Sequence, residues 1–359
     1  MNMSGLERGA IGLITLGLIL VAFLWVKRDA IRYARLIAIT MCLTFVLIVL
    51  GAFVRLSDAG LGCPDWPGCY GNLTPAHSSI EIKAAEAAQP GGPVSMSKAW
   101  KEMAHRYLAM FVGALIAAIM LTAWRNRLSW RQSPLLPSAL AGAVIFQAAL
   151  GAWTVTMLLK PVIVTGHLLG GIAILALLVW LLQRQAIAGK WADAIMADGK
   201  LAAIGWFALL VLFGQIVLGG WVSTNYAALA CSDLPLCNGA LVPSMDFANA
   251  FHVIRPLGVG PDGELLTHEA LRAIHWTHRL GAIVTSLVVG GFALALLRVE
   301  SGRKAARMLL ALLLVQIVLG LSNVAFSLPL TIAVAHNGVA AMLFALLLLI
   351  NLRMAKGRN

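Results

Sequence analysis

The chain has 359 residues, of which 60% are hydrophobic and only 12% are charged. Together with a mean hydropathy of +0.87, this composition excludes a soluble domain and indicates an integral membrane protein. The formal net charge of +12 implies no nucleic-acid partner, because an excess of basic residues on cytoplasmic loops and attraction to anionic lipids of the bilayer account for it.

Nine apolar stretches are long enough to cross the roughly 30 Å hydrocarbon layer as helices. We predict these helices at residues 9–26, 36–54, 107–124, 135–159, 162–182, 201–222, 280–297, 308–328 and 330–352. The first stretch, Gly9–Val26, has the apolar character of a signal peptide, but it lacks a small-residue cleavage site and ends in Lys27-Arg28. We therefore expect it to be retained as an extra helix.

The other eight predicted helices come from an internal duplication with an offset of about 170 residues. Ile48-Val-Leu-Gly51 returns as Ile216-Val-Leu-Gly219, and Gln147-Ala-Ala-Leu-Gly151 returns as Gln316-Ile-Val-Leu-Gly320. The repeat predicts an all-α membrane protein of two pseudo-symmetric four-helix bundles plus one extra N-terminal helix. The expected domains are the extra helix with its basic loop, the first bundle and the second bundle, at residues 1–32, 33–190 and 191–359.

The basic residues predict the orientation in the membrane, because translocation disfavours Lys and Arg in short loops. They cluster on one side of the predicted helices, in segments 27–35, 125–131, 184–200, 298–307 and 353–358. The long loops at about 57–101 and 223–274 carry few of them. We therefore predict a multi-pass protein of the plasma (inner) membrane with a cytoplasmic C-terminus and both long loops outside.

Each long loop contains two cysteines with five residues between them, Cys63 and Cys69 in one loop and Cys231 and Cys237 in the other. In an oxidising compartment this spacing can close a small disulfide loop. The alternative is a thiolate metal site, which would need further His or Cys ligands nearby. We expect Cys63–Cys69 and Cys231–Cys237 disulfides.

Four histidines form two equivalent pairs, since His105 corresponds to His278 and His167 corresponds to His336. We expect His105 and His278 to begin helices, and His167 and His336 to lie about one turn inside theirs, all near the outer face. A single histidine in a membrane helix is usually a hydrogen-bonded core residue, but two matching pairs favour ligands. Two opposed imidazoles with an apolar slot between them are the axial ligand set of an iron porphyrin. Zinc would require a third or fourth ligand.

The neighbours of these histidines carry charge. Arg106 and Arg279 each follow a histidine directly, where they can pair with haem propionates or extend to the membrane interface. Glu102 precedes His105 by three residues, and its counterpart in the second half is His275. Glu102 can accept protons or stabilise the start of a helix. This difference suggests one reactive site and one electron relay.

Taken together, these motifs resemble those of the haem A synthase family of bacteria and mitochondria. The resemblance covers about residues 36–352 and is carried by Gly60-Leu-Gly-Cys-Pro-Asp-Trp-Pro-Gly-Cys69, Glu102-Met-Ala-His105-Arg106, Gly166-His167, His278-Arg279 and His336. It implies that His278 and His336 ligate a haem B cofactor and that His105 and His167 ligate the haem O substrate. It also implies that Glu102 is the catalytic carboxylate.

The reaction implied by the resemblance oxidises the C8 methyl of haem O to a formyl group through two hydroxylations, giving haem A for terminal oxidases. The implied partners are a haem O synthase and an electron acceptor. Two other classes remain open from the residues: a non-catalytic bis-His b-type cytochrome that carries electrons, and a haem-binding chaperone or exporter. The Gln147, Gln215 and Gln316 side chains are expected to form interhelical hydrogen bonds beside glycines.

Overall fold

A computed structural model describes residues 5–191, 193–260 and 263–356 of the protein. This part of the chain is helical, without strands beyond three isolated bridges, so the predicted all-α membrane fold is confirmed. The predicted cytoplasmic C-terminal residues 357–359 lie outside it. The helices are α1 (Gly5–Val26), α2 (Ala30–Leu56), α3 (Ser79–Ala88), α4 (Met96–Asn126), α5 (Leu135–Thr156), α6 (Pro161–Ala188), α7 (Gly199–Thr224), α8 (Phe247–Ala250), α9 (His268–Leu296), α10 (Arg303–Ala325) and α11 (Leu330–Lys356).

Among the described residues, eight helices are long and apolar enough to cross a membrane: α2, α4, α5, α6, α7, α9, α10 and α11. The first predicted stretch also forms a helix, but its apolar segment Gly12–Val26 is shorter than these spans. The extra N-terminal helix is therefore confirmed as a helix, and its crossing of the bilayer stays a prediction.

Two spans begin well before their apolar stretches. The side chain of Ser95 caps α4 by accepting the N–H of Lys98 (3.3 Å), and the side chain of Thr267 caps α9 by accepting the N–H of Ala270 (3.2 Å). Because the first turns of α4 and α9 are polar, apolar segment length does not predict where these helices begin. The expectation that His105 and His278 begin helices is therefore wrong, because each lies more than two turns inside.

The first compact unit comprises Met1–Leu159 and Gly170–Gln185. Its core contains apolar side chains from α1, α2, α4, α5 and the second part of α6, among them Ile37, Ile119, Leu140 and Leu178, all fully buried. Tyr33 of α2 is also buried in this core, where its ring contacts that of Trp130.

The second compact unit comprises Lys160–Leu169 and Ala186–Asn359. Its four long helices form a ring in which α7 packs on α9, α9 on α10, α10 on α11 and α11 on α7. Helices α9 and α11 therefore face each other across the bundle, which is the opposed pair that the sequence requires for His278 and His336. The domain boundaries predicted from the repeat at residues 33 and 191 stay predictions.

Both predicted disulfides, Cys63–Cys69 and Cys231–Cys237, are present. In the second long loop, the buried side chain of Arg255, which is 1% exposed, holds the loop in place. Its guanidinium donates to the side chain of Asn225 and to the carbonyls of His252 and Val259, and it lies over the ring of Trp221. These contacts fix the second long loop onto the end of α7.

Candidate active site

Glu102 lies on α4 and holds the first disulfide loop. Its side chain is buried, with only 4% of the residue exposed. Oε2 accepts the backbone N–H of Cys63 (2.9 Å), and Oε1 forms an ion pair with Arg106, one helical turn later. Both carboxylate oxygens therefore have donors, which a buried carboxylate requires.

Arg106 extends the same anchor into the loop. Its Nη1 donates to the carbonyls of Asp65 (2.8 Å), Pro67 (3.3 Å) and Gly68. The turn is closed by the Asp65 carboxylate, which accepts the N–H groups of Tyr70 (2.7 Å) and Gly71 (2.6 Å). The Arg106 guanidinium, which the sequence predicts as a possible partner of a haem propionate, thus binds backbone carbonyls of the loop. Its role toward haem stays a prediction.

His275 occupies the equivalent position on α9. Its Nδ1 faces the backbone N–H of Cys231 (3.3 Å), and its Nε2 faces Nε of Arg279 (3.2 Å). Arg279 also donates to the carbonyls of Cys231 (2.8 Å), Asp233 (2.9 Å) and Leu236 (2.8 Å). Glu102 and His275 therefore perform the same structural task, a relation that sequence comparison alone did not reveal.

The Asp233 carboxylate closes the second loop as Asp65 closes the first. It accepts the N–H groups of Asn238 and Gly239. These hydrogen bonds, that of Gly239 above all, hold the pKa of Asp233 below its usual range, and the charge of Arg279 acts in the same direction.

His278 projects from α9 against α7. A Cβ added at Gly219 would lie 3.1 Å from its Cε1, so any other residue there would displace the ring from α7 by a few tenths of an ångström. The side-chain amide of Gln215, one turn before Gly219, contacts both Nδ1 (3.0 Å) and the carbonyl oxygen (3.0 Å) of His278. The contacts with Gly219 and with the Gln215 amide thus fix the position of the His278 ring.

His336 on α11 repeats this arrangement against α10. A Cβ at Gly320 would lie 3.1 Å from its Cε1, and the amide nitrogen of Gln316 lies 3.3 Å from its Nε2. Its Nδ1 is buried and has no hydrogen-bond partner within residues 5–191, 193–260 and 263–356. His278 and His336 lie on the two opposed helices of the bundle, α9 and α11. The second unit therefore brings together the two histidines that the sequence paired.

His105 lies on α4 in the first unit, where a Cβ at Gly51 of α2 would lie 3.0 Å from its Cε1. His167 lies on α6, six residues after Pro161, in the segment that belongs to the second unit. In the first unit, the Gln147 side chain fills the space that the missing side chain of Gly170 leaves. The pairing of His105 with His167 stays a prediction.

Sequence reasoning missed the partners of the histidine rings. It assigned Gln215 and Gln316 to interhelical hydrogen bonds, which is correct, but the bonds end on the two site histidines. A signal was available, because Gln-Ile-Val-Leu-Gly occurs identically at 215–219 and 316–320.

Comparison with known proteins matches residues 34–348 to the family COX15-CtaA, cytochrome oxidase assembly protein. The chain is 42% identical to the heme A synthase of Shewanella oneidensis over 319 residues, which cover 88% of this chain and 94% of that protein. It is 28% identical to the heme A synthase of Allorhizobium ampelinum (83% of this chain, 84% of that protein) and 29% identical to that of a Chelativorans species (82% and 83%). These matches confirm the predicted resemblance, and the chain belongs to the COX15-CtaA family of cytochrome oxidase assembly proteins.

Proposed function

We propose that the protein is a haem A synthase, an oxidoreductase that converts the C8 methyl of haem O to a formyl group through two successive hydroxylations. The observation that carries this proposal is the 42% identity to a heme A synthase over 94% of its length. The arrangement of histidines, carboxylate and disulfide loops supports it, because each is a feature that the sequence predicted for this chemistry.

The second unit would hold the cofactor, which we assign as haem B, through His278 and His336. Three observations favour this fit. The rings come from opposed helices of one bundle, each packs on a glycine, and Nδ1 of His336 is buried without a hydrogen-bond partner in the described chain. When bound, such a haem supplies one-electron redox capacity.

His105 and His167 hold the haem O substrate in this proposal. The support is the duplication, which places them at the positions of His278 and His336, and the Gly51 contact of the His105 ring, which matches the Gly219 contact of His278. Arg106 and Arg279 lie directly after His105 and His278, where they neighbour any propionate that reaches the loops.

Glu102 handles protons. With water as the oxygen source, oxidation of a methyl to a formyl group releases four protons and four electrons. A carboxylate one turn from the substrate ligand His105 can accept those protons and orient the attacking water. Its bonds to Cys63 and Arg106 keep it at one place on the helix during turnover.

The reaction takes place in the plasma (inner) membrane, with the haem sites near the outer face and the C-terminus in the cytoplasm. The distribution of basic residues and the disulfides in both long loops support this orientation. A haem O synthase supplies the substrate, and a separate redox partner accepts the electrons.

The test is expression of the full chain in a host that makes haem O but no haem A, followed by mass analysis of extracted haems. We expect haem A with the wild-type chain and none with the host alone. Glu102→Ala should leave haem O unconverted. Unchanged haem O with the wild-type chain would overturn the proposal and favour an electron carrier or a chaperone.

A further inference from the structure

We propose that Gln215 and Gln316 are positioning residues that set the orientation and basicity of the two cofactor ligands, His278 and His336. This inference rests on the proposed function only for the identity of the ligand, a haem held by these two rings. The contacts themselves lie wholly within the second unit.

The two helices that pack against His278 and His336 carry the same five-residue motif. In α7 and in α10, Gln-Ile-Val-Leu-Gly places the amide one turn before the glycine, on the same face of the helix. The glycine admits the imidazole ring, and the amide reaches Nδ1 of His278 at 3.0 Å and Nε2 of His336 at 3.3 Å. The same five residues thus build two similar seats that hold different ring nitrogens, which leaves the other nitrogen of each ring, Nε2 of His278 and Nδ1 of His336, for iron.

An amide suits this task because it can either donate or accept a hydrogen bond. It can hold an imidazole that has a free lone pair, and it can also accept the N–H that a ring presents once its other nitrogen binds iron. A partner of the metal-distal N–H fixes the orientation of the ring and raises its basicity as a ligand. Leucine at the same position could fill the space but could do neither.

The first half provides the natural contrast. At the position of Gln215, helix α2 has Leu47 in the sequence Leu47-Ile-Val-Leu-Gly51, and Gly51 still receives the ring of His105. The glycine is therefore kept in both halves, while the amide at the position of Gln215 occurs only in the second. The amide of Gln316 is shared, because Gln147 is its counterpart in the first half. A resident cofactor benefits from firmly oriented ligands, whereas a substrate must leave its site after oxidation.

The experiment uses full-length protein purified from cells without haem O synthase, so that haem B is the only haem present. We expect Gln215→Leu, which copies the first half, to release haem to apomyoglobin about 10-fold faster than wild type or more. Its midpoint potential should shift upward and its low-spin bis-imidazole signal should broaden. Gln215→Glu should retain the haem and shift the potential downward. Gln316→Leu and Gln316→Glu repeat the comparison on α10.

Gln183→Leu is the matched control, because Gln183 of α6 is 3% exposed and belongs to the first unit. It should leave haem release and potential as in wild type. A role in packing alone would not move the potential in opposite directions for Leu and Glu. Haem release and potential equal to wild type in both Leu variants would overturn the inference. Wild-type protein that contains no haem would instead overturn the cofactor assignment, and this inference with it.

Discussion

The two disulfide loops are held by the same kind of anchor, but a carboxylate forms it in the first half and an imidazole in the second. Glu102 accepts from Cys63 and pairs with Arg106, while His275 faces Cys231 and Arg279. The arginine binds loop carbonyls in both halves. Anchoring the loop is therefore a task of this position that is common to both copies.

The difference lies in how many donors each group can satisfy. A carboxylate accepts on both oxygens at once, whereas a neutral imidazole has a lone pair on only one of its two ring nitrogens. Glu102 thus satisfies both of its donors, and His275 can fully satisfy only one. Glu102 has an anchoring role in addition to any chemical role, so removing its side chain would disturb both. Replacing Glu102 by His, or His275 by Glu, keeps the anchor and tests the chemical role separately.

The largest effect is expected for Glu102→His, which gives the first half the anchor of the second. The loop should stay in place because an imidazole can accept the Cys63 N–H, as His275 does with Cys231. Haem A formation should nevertheless fall by about 100-fold or more, the usual contribution of a positioned acid or base. The measurement is haem A yield per mole of folded protein, with the intact disulfide verified by mass mapping.

Glu102→Gln serves as the control, since it keeps the shape and one acceptor but loses the charge. Wild-type haem A yield in Glu102→His would assign Glu102 to the loop alone and remove it from the proposed mechanism.

A second large effect is expected at Gly62, which precedes Cys63. A Cβ there would lie 2.6–2.7 Å from the backbone of Lys98 and Ala99, so the loop or the start of α4 must move. The equivalent residue before Cys231 is Ala230, so the second loop accommodates a Cβ at this position. Gly62→Ala should destabilise the protein by about 2 kcal/mol or more and lower haem A yield by shifting Cys63 from Glu102.

Thermal unfolding in detergent measures this difference, and Ala230→Gly is the matched change in the second half. We expect Ala230→Gly to cost less than about 1 kcal/mol. Equal losses from both substitutions would contradict the closer packing of the first loop.

The sequence predicted those features that depend on composition or on repetition. Apolar length located the spans, and identical spacing located both cysteine pairs and the His278/His336 pair. It could not predict contacts that join residues far apart in the chain, such as Cys63 with Glu102, 39 positions later, or Gln215 with His278, 63 positions later. Helix starts were missed where Ser95 and Thr267 cap polar turns, because these turns carry no apolar signal.

A smaller, opposite effect is expected for His275→Glu, which gives the second half the anchor of the first. The carboxylate would accept the N–H of Cys231 and form an ion pair with Arg279. Both donors would then have an acceptor, whereas the neutral imidazole can fully satisfy only one of them. We expect a stabilisation of about 1 kcal/mol, measured as a higher melting temperature, with haem A yield within about threefold of wild type since His275 is assigned no chemical step. A lower melting temperature would show that desolvation of the new carboxylate outweighs the pair.

The smallest effect concerns acid and the second loop. Because the folded-state pKa of Asp233 is lowered by the N–H groups of Gly239 and Asn238, its contribution to stability is complete above the unfolded value of about 4. That contribution is lost as pH falls through the lower folded value. Since Asp233 is only partly buried, the effect should be confined to its own loop. Hydrogen exchange at Asn238 and Gly239, corrected for the intrinsic pH dependence, should accelerate on acidification in wild type. In Asp233→Asn it should be fast already at neutral pH and independent of this titration. If the acid-induced acceleration of hydrogen exchange persists unchanged in Asp233→Asn, another group that holds the second loop is responsible. His275 would then be the next residue to substitute.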